Sequence, residues 1–290
     1  MGGSAAWWLG GWCLLAALTA QPPLNRLAAQ VAPNRSAAYL FPTDVHDARA
    51  IWINPAGLGT LREASIYAEI GVGNPGARGR LRQIDAGFNS RGLAFAYQRD
   101  IFDNKVRGNT YRIGLAGGSG GLAAGAAVAR YRGDGAHSTG WDAGLSYTLP
   151  SGLTVGLVTA NIGQPIVRGL AQRLTYVPGA TWRPARLPAL ALSTYAHITP
   201  DSIAAYAFGL SWHTPRTSMG MVHRWPIEVI ARLDTDRKLR RGEFAFGLSI
   251  GSQDRVGIVA TTPGDVSRVD EASLYGASAR EPAAGRGGRH

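Results

Sequence analysis

Tyr206-Ala207-Phe208-Gly209-Leu210-Ser211-Trp212-His213 alternates a large apolar residue with a small or polar one, and Phe244 to Ile250 repeats the pattern as Phe-Ala-Phe-Gly-Leu-Ser-Ile. A period of two belongs to the β-strand, whose successive side chains project to opposite faces, and helical spacing does not produce it. Trp141, Ala143, Leu145 and Tyr147 stand in the same way against Asp142, Gly144 and Ser146, as do Tyr111, Ile113 and Leu115 against Arg112, Gly114 and Ala116. Run after run, one face is bulky and apolar while the other is small or charged. Thirty-nine glycines in 290 residues exclude a helical bundle, and aromatic residues at 9% exclude a disordered chain.

A bulky apolar face can look into a core or out into lipid. After residue 30 no stretch reaches the ~18–20 apolar residues of a membrane-spanning helix, so a membrane-borne chain must cross as strands. In hydrocarbon only a closed barrel satisfies every strand's backbone donors and acceptors. The connections between runs support a barrel. Longer ones near 73–80, 101–108, 132–139, 163–172 and 234–242 are interleaved with tight ones at 89–92, 118–120 and 150–152, as when one rim faces the periplasm and the other the outside. The expectation is an all-β antiparallel barrel over residues 63–279 with about fourteen strands. Twelve result if 168–183 and 217–233, interrupted by Pro178 and Pro226, form none. An even count places both chain ends on the periplasmic side. Tyr97, Tyr111, Trp141, Tyr147, Trp182, Tyr195 and Trp212, near run ends, are expected at the head-group level.

The ends of the chain read differently. Ala5 to Ala20 is almost wholly apolar and is followed by small-residue contexts at Ala20 and Ala29, the pattern of a secretory signal peptide over residues 1–30, although the usual positive charge before the apolar core is missing. The single cysteine, Cys13, lies within it, which leaves no disulfide or cysteine-bound metal for the remainder. Residues 280–290 are rich in Arg and Gly and read as a disordered tail. All but two of the thirty basic residues, Lys105 and Lys238, are arginine, and they are scattered. That is no nucleic-acid footprint, and the net charge of +11 better suits anionic lipid head groups.

No constellation supports enzymatic chemistry or a cofactor. Gly71-Val72-Gly73-Asn74-Pro75-Gly76 has the glycine spacing of a dinucleotide-binding turn but leads into another strand, so it reads as a hairpin. Ser119 within Gly117 to Gly121 likewise lacks the helix that a nucleophile elbow needs. His46, His137, His197, His213 and His223 form no zinc spacing. Inward parity instead collects Glu69, Asp85, Arg112, Asp142, Glu228 and Arg232 as a lumen lining.

Before the first strand, Asp44 is placed to cap a short helix over Ala48 to Ile53, which Asn54-Pro55 ends because a residue before proline is pushed out of the helical region; Gly57 then permits a reversal. The residues Asp47-Ala48-Arg49-Ala50, followed by Asn54-Pro55-Ala56-Gly57-Leu58, resemble the FadL and PorV superfamily of outer-membrane barrels. The resemblance implies fourteen strands and an amino-terminal plug over residues 31–62, with Asp44, Asp47, Arg49, Asn54, Pro55, Ala56, Gly57 and Leu58 in plugging or gating roles. It implies passive uptake of a hydrophobic small molecule across the outer membrane of a Gram-negative type envelope. In the secretion-linked branch it implies a scaffold whose loops 101–108, 132–139 and 234–242 dock an exported protein. Either function brings contact with outer-membrane lipid and with the outer-membrane assembly machinery. A secreted soluble β-protein is the third reading, and it would turn the bulky residues inward.

Overall fold

The computed structural model describes residues 36–60, 63–75, 79–101, 107–133, 136–167, 170–214 and 226–280. The expected signal peptide and tail therefore lie outside the described residues, apart from Arg280. Among those described, the chain forms β1 (Ala64–Gly73), β2 (Arg80–Ser90), β3 (Leu93–Ile101), β4 (Arg107–Ser119), β5 (Leu122–Gly133), β6 (Ala136–Thr148), β7 (Leu153–Ile162) and two short strands, β8 (Ile166–Val167) and β9 (Leu170–Ala171). There follow β10 (Thr175–Trp182), β11 (Leu190–Thr199), β12 (Ser202–His213), β13 (Ile227–Asp236), β14 (Arg241–Gly251), β15 (Asp254–Pro263) and β16 (Glu271–Arg280). Fourteen of them close into one barrel in chain order, with β7 pairing directly to β10 and β8–β9 left as a separate pair.

Closure runs through β1 and β16, antiparallel in continuous register from Ala64 opposite Arg280 to Gly73 opposite Glu271. The last strand thus ends on arginine and still completes the cylinder. Pro178, which cast doubt on a strand, is accommodated in β10, and Pro226 sits just outside β13. At the tight connection after β4, Gly120 and Gly121 take φ of 60° and 87°, the left-handed pair a two-residue hairpin turn requires.

The bulky residues face outward. Ile113, Leu115, Trp141, Leu145, Phe208, Leu210, Trp212, Phe246 and Leu248 are exposed on the outer wall, while Gly114, Gly144, Gly209 and Gly247 alternate with them on the inside. A wall of isoleucine, leucine and phenylalanine turned away from the interior is stable against acyl chains and not against water. The soluble reading, which needed those rings inside, is overturned.

Three expectations are corrected. Tyr195 belongs to the interior, not the aromatic girdle: it is 6% exposed and packs edge-on against Phe41 with ring centroids 5.6 Å apart. The connections 132–139 and 234–242 are largely strand, because pairing continues to Gly133 opposite Ala136 and Thr235 opposite Arg241. Nor do short and long connections divide cleanly between the rims: 91–92 and 120–121 share a rim with the interval 214–226, opposite the short connections at 134–135 and 200–201. Arginine at position 113, midway along the lipid face of β4, should lower folding stability in detergent or lipid by about 2–4 kcal/mol, against about 0–1 for Leu187→Arg in a connection at the rim; urea titration of refolding measures both.

Candidate functional site

Residues 36–60 lie inside the barrel, folded as a 3-10 turn Ser36–Tyr39, a single α-helical turn Ala50–Ile53 and a 3-10 helix Pro55–Gly59. The helical turn starts at Ala50, later than the Ala48 start expected from sequence, and Arg49, not Asp44, stands at its cap. Its end is as the proline demands: Asn54 is extended at φ −150°, ψ 105°, and Pro55 opens the next helix, where its missing N–H costs nothing. Asn54 also ties the segment to itself. Its Oδ1 accepts from the Ala56 amide at 3.1 Å, and its Nδ2 donates to the Pro42 carbonyl at 2.8 Å. Gly57 makes no reversal. It is needed because a Cβ there would fall on the Val45 carbonyl oxygen.

The wall beneath this segment has been cleared of side chains. A Cβ at Gly125 would strike the Pro55 carbonyl, one at Gly144 the Asn54 side chain and one at Gly209 the Phe41 ring; at Gly114 it would lie 3.0 Å from Leu58, and at Gly156 2.9 Å from Thr43. These positions form a track across neighbouring strands, with Gly125 opposite Gly144 and Gly156 opposite Gly179. These small inward residues are the bed on which the segment rests. Asn89 Nδ2 donates to the Leu58 carbonyl at 3.1 Å, and the Thr43 and Thr181 hydroxyls are 2.7 Å apart, closing the two ends of the contact.

Three arginines hold the segment, each with a carboxylate and an aromatic ring. From β4, Arg112 donates to the Ile51 carbonyl at 2.9 Å and to Asp142 at 2.6 Å, with its guanidinium 4.8 Å from the Trp52 ring centre. Trp52 in turn donates its indole N–H to the Tyr67 hydroxyl. From β13, Arg232 reaches the Leu40 carbonyl at 3.4 Å, pairs with Asp234 at 2.7 Å, donates to the Tyr195 hydroxyl and lies over Phe41. Arg49, on the segment itself, pairs with Asp47 at 2.7 Å and stacks 4.7 Å from Tyr275. Cation–π contact and ion pairing combine here because the groups are desolvated, where both are strongest.

Asp47 also takes a hydrogen bond from Arg255 of β15 at 2.5 Å, and Asp44 pairs with Arg183. Burial raises the Asp47 carboxyl, but the charges and hydrogen bonds of Arg49 and Arg255 outweigh it and hold the group below the ordinary carboxylate range. Of the other inward charges, Glu228 sits half-buried 3.7 Å from Arg255, and Glu69 and Asp85 are buried opposite each other on β1 and β2. Parity reads the inward side of each of these positions. It misses Arg183, Arg255, Tyr67, Asn89 and Tyr275, since only assembly brings them to the segment. A small cavity of about 60 Å³ remains between residues 39–49 and the β11–β16 wall, bordered by Ser193, Ser211, Glu228, Ile230 and Arg255.

Solved structures share this architecture. The toluene transporter TbuX of Ralstonia pickettii is similar over 91% of this chain and 99% of its own, at 12% identity and a TM-score of 0.54. The toluene transporter TodX of Pseudomonas putida matches over 90% and 98%, at 9% identity and a TM-score of 0.49. No family model and no curated protein matches the sequence. The likeness is one of fold: a closed β-barrel of the outer-membrane type, whose outward apolar wall places it in the outer membrane.

Gly144→Ala should unseat Asn54 at a cost of about 1–3 kcal/mol, a roughly tenfold to hundredfold rise in protease cleavage within residues 36–60, while the boiled and unboiled gel mobilities of the barrel stay as in the parent. Because the Asp47 value is depressed, its contribution is complete above the unfolded carboxylate range and is lost only as pH falls through the folded value. The hold that Asp47 gives the segment should therefore be undiminished from about pH 8 to about pH 5, so Asp47→Asn should raise cleavage by the same factor across that range.

Proposed function

We propose that the protein is a passive outer-membrane conduit for hydrophobic small molecules, closed at rest by the amino-terminal segment. The observation that carries this reading is how residues 36–60 meet the wall: bare glycine backbone beneath, and arginine clamps onto the Ile51 and Leu40 carbonyls at the sides. The segment also packs apolar side chains against wall residues such as Tyr67, Tyr195 and Tyr275, yet none of its contacts belongs to the strand ladders, so it can unwind without dismantling the barrel hydrogen bonds. Asp44, Asp47, Arg49 and Asn54 through Leu58 are then the plug and gate, and Arg112 and Arg232 its latches. The proposal includes an export signal over residues 1–30 and delivery by the outer-membrane assembly machinery.

Fold likeness to a named transporter supports a substrate class. TbuX is named for toluene, and we infer small hydrocarbons or similarly apolar solutes for this chain. Docking of an exported protein draws less support, since two of the three loops it relied on are mostly paired strand.

The test is uptake of labelled toluene by Gram-negative cells without a transporter of their own. Cells displaying the protein in the outer membrane should take it up severalfold faster than vector controls, and Arg112→Ala with Arg232→Ala should abolish dependence on an intact latch by raising basal uptake further. Equal uptake with and without correctly inserted protein would sink the reading.

A further inference from the structure

The connection between β7 and β10 does not stand outside the barrel. Its short pair β8–β9 turns back over the lumen from the rim opposite the chain ends: Val167 packs on the inward Ala129 and Tyr131 of β5, and Pro165 covers Gly140 of β6 so closely that a Cβ there would lie 2.5 Å from the ring. The Ile166 amide donates to Ser138 Oγ at 2.8 Å, and the Gln172 amide to the Pro165 carbonyl at 2.8 Å. The lumen thus holds two inserted elements, one from each end.

A single carboxylate is linked to both, to the plug through Arg112 of β4 and to the base of the hairpin through Asn161 of β7. The β6–β7 register slips between Trp141 and Ala143, leaving Asn161 in the left-handed region at φ 60° with its amide outside the ladder. Asp142 Oδ1 accepts that amide at 2.8 Å, while Asp142 Oδ2 takes Arg112 at 2.6 Å, and Arg112 holds the Ile51 carbonyl of the plug. Asn161 Nδ2 donates onward to the Arg173 carbonyl at 3.1 Å, so this residue anchors both ends of the inward hairpin. A parallel link runs from Arg112 Nη2 to the Tyr131 hydroxyl at 3.4 Å, beneath Val167. Arg112 and Asp142 are 1% and 6% exposed, so no water competes for these bonds.

We propose that the Arg112–Asp142 pair couples the two inserted elements, so that lifting the β8–β9 hairpin off the lumen weakens the hold on the plug. When the hairpin leaves, the Asn161 side chain loses the Arg173 carbonyl and the bulge at the end of β7 relaxes, so its amide no longer fixes Asp142, while the Tyr131 hydroxyl is uncovered by Val167. The Arg112–Asp142 pair, still joined, is then no longer aimed at Ile51. Entry of a solute under the outer hairpin is in this way felt at the opposite side of the lumen before the solute reaches the plug. Asn161 and Asp142 are positioning residues, acting through Arg112. The coupling lies in the resting protein and does not depend on what the conduit carries.

The experiment needs no substrate. In full-length protein carrying Cys13→Ser, a reporter Ala48→Cys on the plug is labelled with a charged maleimide after insertion into lipid vesicles, with boiled and unboiled gel mobility confirming the barrel. Val167→Asp, which drives the hairpin out of its apolar seat, should speed labelling at position 48 about tenfold or more, the worth of a buried hydrogen bond to a charged group. Asp142→Asn should speed it alone, and adding Val167→Asp should then change nothing further. Unchanged labelling with Val167→Asp, or effects of the two substitutions that simply multiply, would overturn the coupling. Gly140→Ala, which lifts Pro165 without adding charge, replaces Val167→Asp if that variant does not assemble. Toluene uptake is a separate measurement, so the failure of the conduit reading and the failure of the coupling are distinguishable.

Discussion

Hydrocarbon offers a peptide N–H or C=O no partner, and the continuous pairing of β1 with β16 meets that constraint for the whole molecule. Once the sheet closes, every strand has two neighbours, and each side chain faces either lipid or lumen. The outward set, with Ile113, Leu145, Phe208 and Phe246 among it, is what makes the outer wall compatible with acyl chains. The inward set is then free of any duty to lipid and can be small, polar or charged. Arginines at positions 112 and 232 and carboxylates at 69, 85 and 142 are carried into the membrane on a wall that lipid never touches.

Closure creates a second problem, an interior that must be filled or left open to water. The protein fills it with its own residues 36–60. Because the inner wall under them is glycine, the packing is backbone against backbone and ring against backbone, as where Phe41 lies on Gly209. Elsewhere side chains of the segment meet side chains of the wall, Tyr39 on Tyr275 and Phe41 on Tyr195, and together these contacts exclude water. What locks the segment is a small number of charge-assisted hydrogen bonds, each from an arginine that is itself buried and paired. Removing a carboxylate from one of these pairs is expensive, since it strands a buried cation.

How much of this the sequence disclosed follows from the range of each interaction. Strand identity, outward and inward parity and the Asn54-Pro55 break are local, written within a few residues, and Arg112, Asp142 and Arg232 were assigned to the inside on that ground. Tyr195 shows the limit. Its place near a run end suggested the head-group level, but its parity in β11 sends it to the lumen and to Arg232. Glycines at 125, 144, 156 and 209 read as turn-prone or merely small. Their use, as a track beneath a segment whose contacts lie 70 to 168 positions away in the chain, is visible only when both are placed.

By itself, the chain's alternation determined about fourteen strands with bulky apolar residues on one face and small or charged ones on the other, because side-chain direction along a strand is a matter of counting by two; closure decided that the bulky face looks outward. The tertiary structure alone decided which inward charge meets which: Arg255 with Asp47, Arg183 with Asp44, Asn161 with Asp142. It also decided that the connection after β7 folds inward and that Asp142 serves both luminal elements. Partnership across a barrel depends on stagger, bulges and the path of a segment through the lumen, and a one-residue slip such as that at Asp142 changes it without altering the pattern from which parity is read.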